Sequence, residues 1–172
     1  KATMRLSVAA FLNDYEDMQA QSFALLPLPG TAGLMDYMIT AGDKESVGLE
    51  AGFEWSPDEH WHIAAQLAWL DAEFSNYEVP GLNGLDNVPG YNAAEGLRLD
   101  GWQPAYSPEW MLGLQASYLF DLGRWGGVRP VLHTNYVSDY YTNDLNLPGA
   151  LQPAHNITDL RVFWHLPHDR LS

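Results

Sequence analysis

The chain is 172 residues long, carries a net charge of −14 and has no cysteine. The charge argues against a nucleic-acid partner, since the Lys and Arg that neutralise phosphates are missing. The lack of cysteine excludes a disulfide framework and thiolate metal sites. No apolar run approaches the ~18 residues of a transmembrane helix, so any membrane role must be built from strands. The 7 Trp and 9 Tyr suit interfacial belts.

Seven strands are expected in chain order. Arg5–Asn13 sets Leu6, Val8 and Ala10 against Ser7 and Ala9. Asp14–Asp17 reads as a tight polar turn, and Met18–Leu25 as the returning strand, with Gln19 and Gln21 on one side. Pro27, Pro29, Gly30 and Gly33 mark Leu26–Asp36 as a loop. Tyr37–Trp55 is the third strand and Trp61–Tyr77 the fourth, joined by Ser56-Pro57-Asp58-Glu59-His60. A long segment rich in Gly, Asn and Pro, Glu78–Gln103, follows. Pro108–Asp121 is the fifth strand, Leu122–Gly127 a turn, Val128–Thr142 the sixth strand, Asn143–Gln152 a loop and His155–Leu166 the seventh strand.

The strands have two chemically opposite faces. Val47, Leu49, Ala51, Phe53 and Trp55 alternate with Ser46, Gly48, Glu50, Gly52 and Glu54. Trp61, Ile63, Ala65, Leu67 and Trp69 alternate with His62, Ala64, Gln66 and Ala68. A period of two is the strand period. The apolar rows begin and end in Trp, while the opposite rows carry carboxylates, amides and glycines, as expected for lipid outside and a wet or plugged lumen inside. Short connections also alternate with long ones. In an up-and-down meander this puts every short turn at one end and every long loop at the other. The expected fold is therefore all-β: an antiparallel up-and-down meander, part of a transmembrane β-barrel. Seven strands do not close a bacterial barrel, and Lys1 is not a natural start. The chain is thus expected to be a fragment, or a mature protein whose signal is gone.

Several motifs, in order along the chain, resemble the C-terminal part of the barrel of TonB-dependent receptors. Phe11 to Gln19 resembles F-Y-x-x-Y-x-D-x-Q. Ala41-Gly42-Asp43-Lys44-Glu45-Ser46-Val47-Gly48-Leu49-Glu50 resembles the segment N/A-G-x-x-x-S-x-G-x-E that enters a strand from an extracellular loop. Trp69–Phe74 resembles Y-x-D-A-x-Y/F, Ser107–Trp110 resembles A-P-x-W/H, and Tyr136–Tyr141 resembles Y-x-S-x-Y-Y/F. The resemblance implies that residues 1–172 are a partial receptor barrel, without the plug domain, the TonB-contacting box and the last strands. It implies a bacterial outer-membrane location and TonB-coupled uptake of a siderophore, cobalamin or another bulky solute. The implied partners are the lipid bilayer, the plug, the TonB complex and a small-molecule or metal-chelate ligand. Two rival readings are a passive porin or structural barrel and a soluble β-rich binding module or hydrolase.

No catalytic residue is expected. Glu50 and Glu54 share a strand face, but a solvated lumen accounts for them. His60 and His62 lack a third ligand and a supporting shell, so no metal site is expected. Asp86, Asn87, Asp139, Asn143 and Asp144 lack the spacing of a calcium loop. No phosphate-binding loop or nucleophile motif is present, and no cofactor is expected. Trp55, Trp61, Trp69, Trp110 and Trp164 read as membrane-interface aromatics. Gln66, Gln115, Arg129, His133, Asn135 and Arg161 read as inward polar residues that meet a plug. Asp86, Asn87, Tyr91, Asn92, Trp102 and Tyr106, in or beside the longest loop, are the candidate ligand-binding residues, with Leu26–Asp36 and Asn143–Gln152 as neighbouring loops.

Overall fold

The computed structural model describes residues 2–28, 31–79 and 96–167, and for 20–28 and 31–41 the backbone alone. The elements are β1 (Thr3–Leu28), β2 (Thr31–Ser56), β3 (Trp61–Ser75), β4 (Glu78–Val79), β5 (Leu97–Arg98), β6 (Trp110–Tyr118), β7 (Phe120–Asp121), β8 (Gly127–Val137), β9 (Tyr140–Tyr141), β10 (Leu151–Gln152) and β11 (His155–His165). One sheet runs in the order β1-β2-β3-β6-β8-β11, with β7 also on β8, and every pairing is antiparallel. This is the expected meander.

Two expectations for the first fifty residues are corrected. Asp14–Asp17 is not a turn and Met18–Leu25 is not a returning strand: both lie within β1, which pairs with β2 along its whole length. The polar run makes a β-bulge instead. The register shifts between Tyr15 and Met18, and Asp17 takes a left-handed φ of 53°, which Asp tolerates better than most residues. Leu26–Asp36 is likewise not a loop, because Leu26–Leu28 and Thr31–Asp36 are paired strand, with Leu28 opposite Thr31. Cross-strand pairing overrides the Pro and Gly signals there. The seven expected strands thus become six long ones. The short connections at 57–60 and 122–126 still share one end, and the connections after β1, β3 and β8 share the other.

Register carries the face chemistry across the whole sheet. Met4, Trp55, Ile63, Ala116, Leu132 and Leu160 form one cross-strand row. The adjacent row on the opposite face is Arg5, Glu54, Ala64, Gln115, His133 and Asp159. A slip of one residue in any strand would invert this pattern. Among the described residues no protein layer lies over the apolar face: Leu6 is 66% exposed, Val8 63% and Leu160 65%. The buried hydrophobic residues among those described, Phe74, Tyr77, Leu97 and Leu99, lie beyond the sheet, under the long connection after β3. A two-layer soluble sandwich would bury such rows against a second sheet. An apolar face this wide and bare marks a membrane or a partner surface, and no helix of the described residues is long and apolar enough to cross a bilayer.

Candidate functional site: an aromatic-bounded belt and a cross-tied loop platform

Aromatic residues bound the apolar belt at both ends. Beside the short turns, the Trp61 ring meets Tyr118 at 4.9 Å and Tyr118 meets Phe120 at 4.6 Å. Trp55 lies in the same zone, and the Trp164 indole N–H donates to the Trp125 carbonyl at 2.9 Å. At the other end Trp69 and Trp110 pair across β3 and β6, their rings 6.4 Å apart. The Trp69 indole N–H donates to the Glu109 carboxylate at 3.3 Å. Trp61 and Trp69 lie eight positions apart on β3, about 26 Å along the strand, or roughly 20 Å of height at the tilt usual for such barrels. Asp14, Glu45, Asp71 and Glu73 stand on the belt face only beyond the Trp69 row, with Asp14 opposite Glu45 and Glu45 opposite Glu73. The opposite face carries ion pairs, Arg5 with Glu54 at 3.8 Å and Arg161 with Asp159 at 2.9 Å, and His133 Nδ1 lies 3.3 Å from the Asp159 carboxylate.

At the long-loop end the connections after β3 and β8 are tied into one platform. Residues 97–102 run back against 74–79. Leu99 N–H donates to the Tyr77 carbonyl at 3.0 Å, Gly101 N–H to Phe74 at 2.8 Å and Phe74 N–H to Trp102 at 3.0 Å. Phe74, Tyr77, Leu97 and Leu99 form a small core, and Met18, Val79, Trp102, Leu145 and Leu147 pack against it. Polar ties join the two loops. Ala105 N–H donates to the Asp144 carboxylate at 2.8 Å, and Tyr106 N–H to the Tyr141 carbonyl at 2.8 Å. The Asn146 amide donates to the Gln103 carbonyl at 3.0 Å and accepts from Gln103 N–H at 3.2 Å. Burial, with the nearby Asp144 charge second, pushes the Tyr77 phenol up. Asp43 anchors the base: its two carboxylate oxygens accept from Asp17 N–H and the Asn76 amide, each at 3.0 Å. The Asn76 amide first and the Asp17 N–H second hold the Asp43 carboxyl below its usual range. Gly42 permits this approach, since a Cβ there would sit 2.4 Å from the Tyr77 Cα.

Trp102 is half-buried against the platform core. Tyr106 is 68% exposed, with its ring 6.0 Å from Tyr140. Asp86, Asn87, Tyr91 and Asn92 lie outside the described residues. The parts of the platform that sequence reasoning missed are Asp100, whose carboxylate accepts Tyr77 N–H at 3.2 Å, Asp144 as a tie between loops, and the pairing of β4 with β5 and of β9 with β10. The sixth expected strand, Val128–Thr142, also ends earlier than expected, because β8 stops at Val137 and Tyr140–Tyr141 pair with β10 instead. The described residues contain no cluster of three or more metal-ligating side chains.

No curated protein matches the chain. Among solved structures, the ferric yersiniabactin uptake receptor FyuA from Yersinia pestis is similar: 19% identical, TM-score 0.65, with 95% of this chain covered and 20% of FyuA. The chain thus spans about a fifth of FyuA's length, and the likeness concerns the fold. The family described as TonB dependent receptor-like, beta-barrel matches residues 2–172. With six long antiparallel strands, a bare apolar belt between aromatic rows and an opposite face that carries ion pairs, this chain belongs to the TonB-dependent receptor β-barrel family of the bacterial outer membrane.

Proposed function

We propose that this chain is part of the barrel of a receptor that imports a scarce, bulky solute, siderophore-like in class, with energy delivered through the TonB complex to a plug inside the barrel. The observation that carries the reading is the platform at the long-loop end. Loops on a rigid barrel supply recognition without disturbing lipid contact, and here the base of the longest connection is held by a buried core and side-chain ties. Residues 80–95, which include Asp86, Asn87, Tyr91 and Asn92, spring from that base between β4 and β5. They are proposed to contact the solute, with Tyr106 as an exposed aromatic beside them. FyuA, by its description, takes up ferric yersiniabactin, which supports an iron-bearing compound as the solute class.

The test uses the full-length receptor in whole cells offered radiolabelled ferric siderophores and cobalamin one at a time. Deleting residues 81–95 is expected to abolish binding of the transported compound while the barrel still assembles. Removing TonB from the strain is expected to abolish uptake but not binding. Unchanged affinity in the deletion overturns the loop assignment, and uptake that persists without TonB makes the protein a passive pore.

A further inference from the structure

The belt face is not apolar throughout, because β8 and β11 place Thr134, Asn156 and Thr158 on it. Thr158 stands opposite Thr134, in the cross-strand row of Leu6, Phe53, Ala65 and Leu114. Asn156 stands opposite Tyr136, in the next row, with Ala51, Leu67 and Leu112. Ala65 is four positions from both Trp61 and Trp69, so the Thr row lies about 13 Å along the strand from either aromatic edge. That is the middle of the belt, where lipid offers only hydrocarbon.

The three side chains close a ring of hydrogen bonds. Asn156 N–H donates to the Thr134 hydroxyl at 3.0 Å, Thr134 O–H to the Thr158 hydroxyl at 2.8 Å, and Thr158 O–H to the Asn156 amide oxygen at 2.8 Å. The ring uses both hydroxyl protons and one of the two amide protons. The second amide N–H meets no acceptor among the described residues. A donor left in hydrocarbon is costly, and apolar side chains at these positions would avoid the cost. The stability of a lone barrel therefore does not account for the triad.

We propose that the outward face of β8 and β11 is a self-pairing surface, through which two copies of the receptor associate in the outer membrane. The inference goes beyond solute uptake and holds whichever solute is carried. Two receptors inserted the same way round are related by a two-fold axis along the membrane normal, which keeps every residue at its own depth. Triad then meets triad, and the spare N–H of each copy donates to an amide or hydroxyl oxygen of the other. Charge selects the same sector. The outward positions of β8 and β11 carry no charged residue, whereas Asp14, Glu45, Asp71 and Glu73 above the belt on β1 to β3 would repel a copy. The belt is also hollowed beside the triad. A cavity of about 320 Å³, lined in part by Ala65, Leu67, Leu112 and Leu114, reaches Thr134 and Asn156 and gives room for an apolar side chain of the facing copy.

The experiment is photo-cross-linking of the full-length receptor in whole cells. p-Benzoylphenylalanine replaces Leu160, one row from the Thr pair, and two copies bearing different affinity tags are co-expressed. After irradiation and denaturation the second copy is expected on the tag of the first, with peptide mass spectrometry placing the link on β8 or β11. The same probe at Leu49, on the acidic side of the belt, is expected to give no such link. Thr134→Val combined with Asn156→Leu is expected to cut the Leu160 link about tenfold while the amount of receptor in the outer membrane is unchanged. Asn156→Gln, which keeps an amide, is expected to retain it. A Leu160 probe that links only to lipid, to a different protein or within its own copy overturns the self-pairing, as does an equal link from Leu49. A link undiminished in the double variant overturns the part given to the triad, and loss of that variant from the membrane makes the triad a stabiliser of the single barrel instead.

Discussion

Leu67 and Gln66 are neighbours in the chain and face opposite solvents, and this pair shows most simply how a single residue reads its environment. Leu67 lies in the belt row with Ala51 and Leu112, while Gln66 lies with Gly52 and Gly113 on the lumen face. Leu67→Arg or Leu114→Arg is expected to cost about 2–4 kcal/mol near the bilayer midplane, and Gln66→Arg close to nothing. Refolding of the full-length receptor into lipid vesicles over a urea series measures both; equal costs contradict the lipid-facing assignment. Asp43 reads a different environment, a hydrogen-bonded knot above the belt. Its folded carboxyl is held low by the Asn76 amide and the Asp17 N–H. The stabilisation is therefore present above the ordinary carboxylate range and is lost as pH falls through the folded value. The protection factor of the Asp17 amide against hydrogen exchange is expected to fall both at acid pH and in Asp43→Asn. Exchange unchanged in Asp43→Asn contradicts the knot.

At the scale of the element, the platform behaves as a small soluble core set on a membrane sheet. Leu97 and Leu99 are 1% and 0% exposed and hold the return segment 97–102 against 74–79. Leu99→Ala leaves a cavity and is expected to cost about 2–5 kcal/mol. The cost falls on the platform, since the sheet shares none of its contacts with this core beyond Phe74 and Met18. Limited proteolysis is expected to open the connection between β3 and β6 while the strands stay protected. Loss of barrel assembly in Leu99→Ala would show that the two are one cooperative unit. The bulge in β1 belongs to the same scale. Asp17 and Gly42 bend the β1–β2 pair where it leaves β3, and Asp43 pins the bend to Asn76. A sequence reading sees only Asp-rich residues that suit a turn, and the local chemistry of a turn and of a bulge is the same.

For the whole molecule, the apolar face that is bare among the described residues is the lipid-facing surface expected of an outer-membrane barrel. The full-length protein is expected to sediment with outer membranes and to leave them only in detergent; partition into detergent-free buffer as a monomer contradicts the barrel assignment. Face chemistry and the placing of the short turns at 56–60 and 122–127 on one end were legible in the sequence, because the strand period of two maps each residue to a face and a meander alternates its ends. The face shared by Gln115, His133 and Arg161, opposite the apolar rows, was legible for the same reason. Strand count, the bulge, the joining of the two long loops and the polar triad on the belt were decided only by tertiary structure. Each depends on which groups meet across large sequence separations: Asp17 on Asp43, Ala105 on Asp144, and Thr134 on Asn156. Alternation fixes which side a residue faces, but the partners it meets there are set by register and loop packing, which no local pattern encodes.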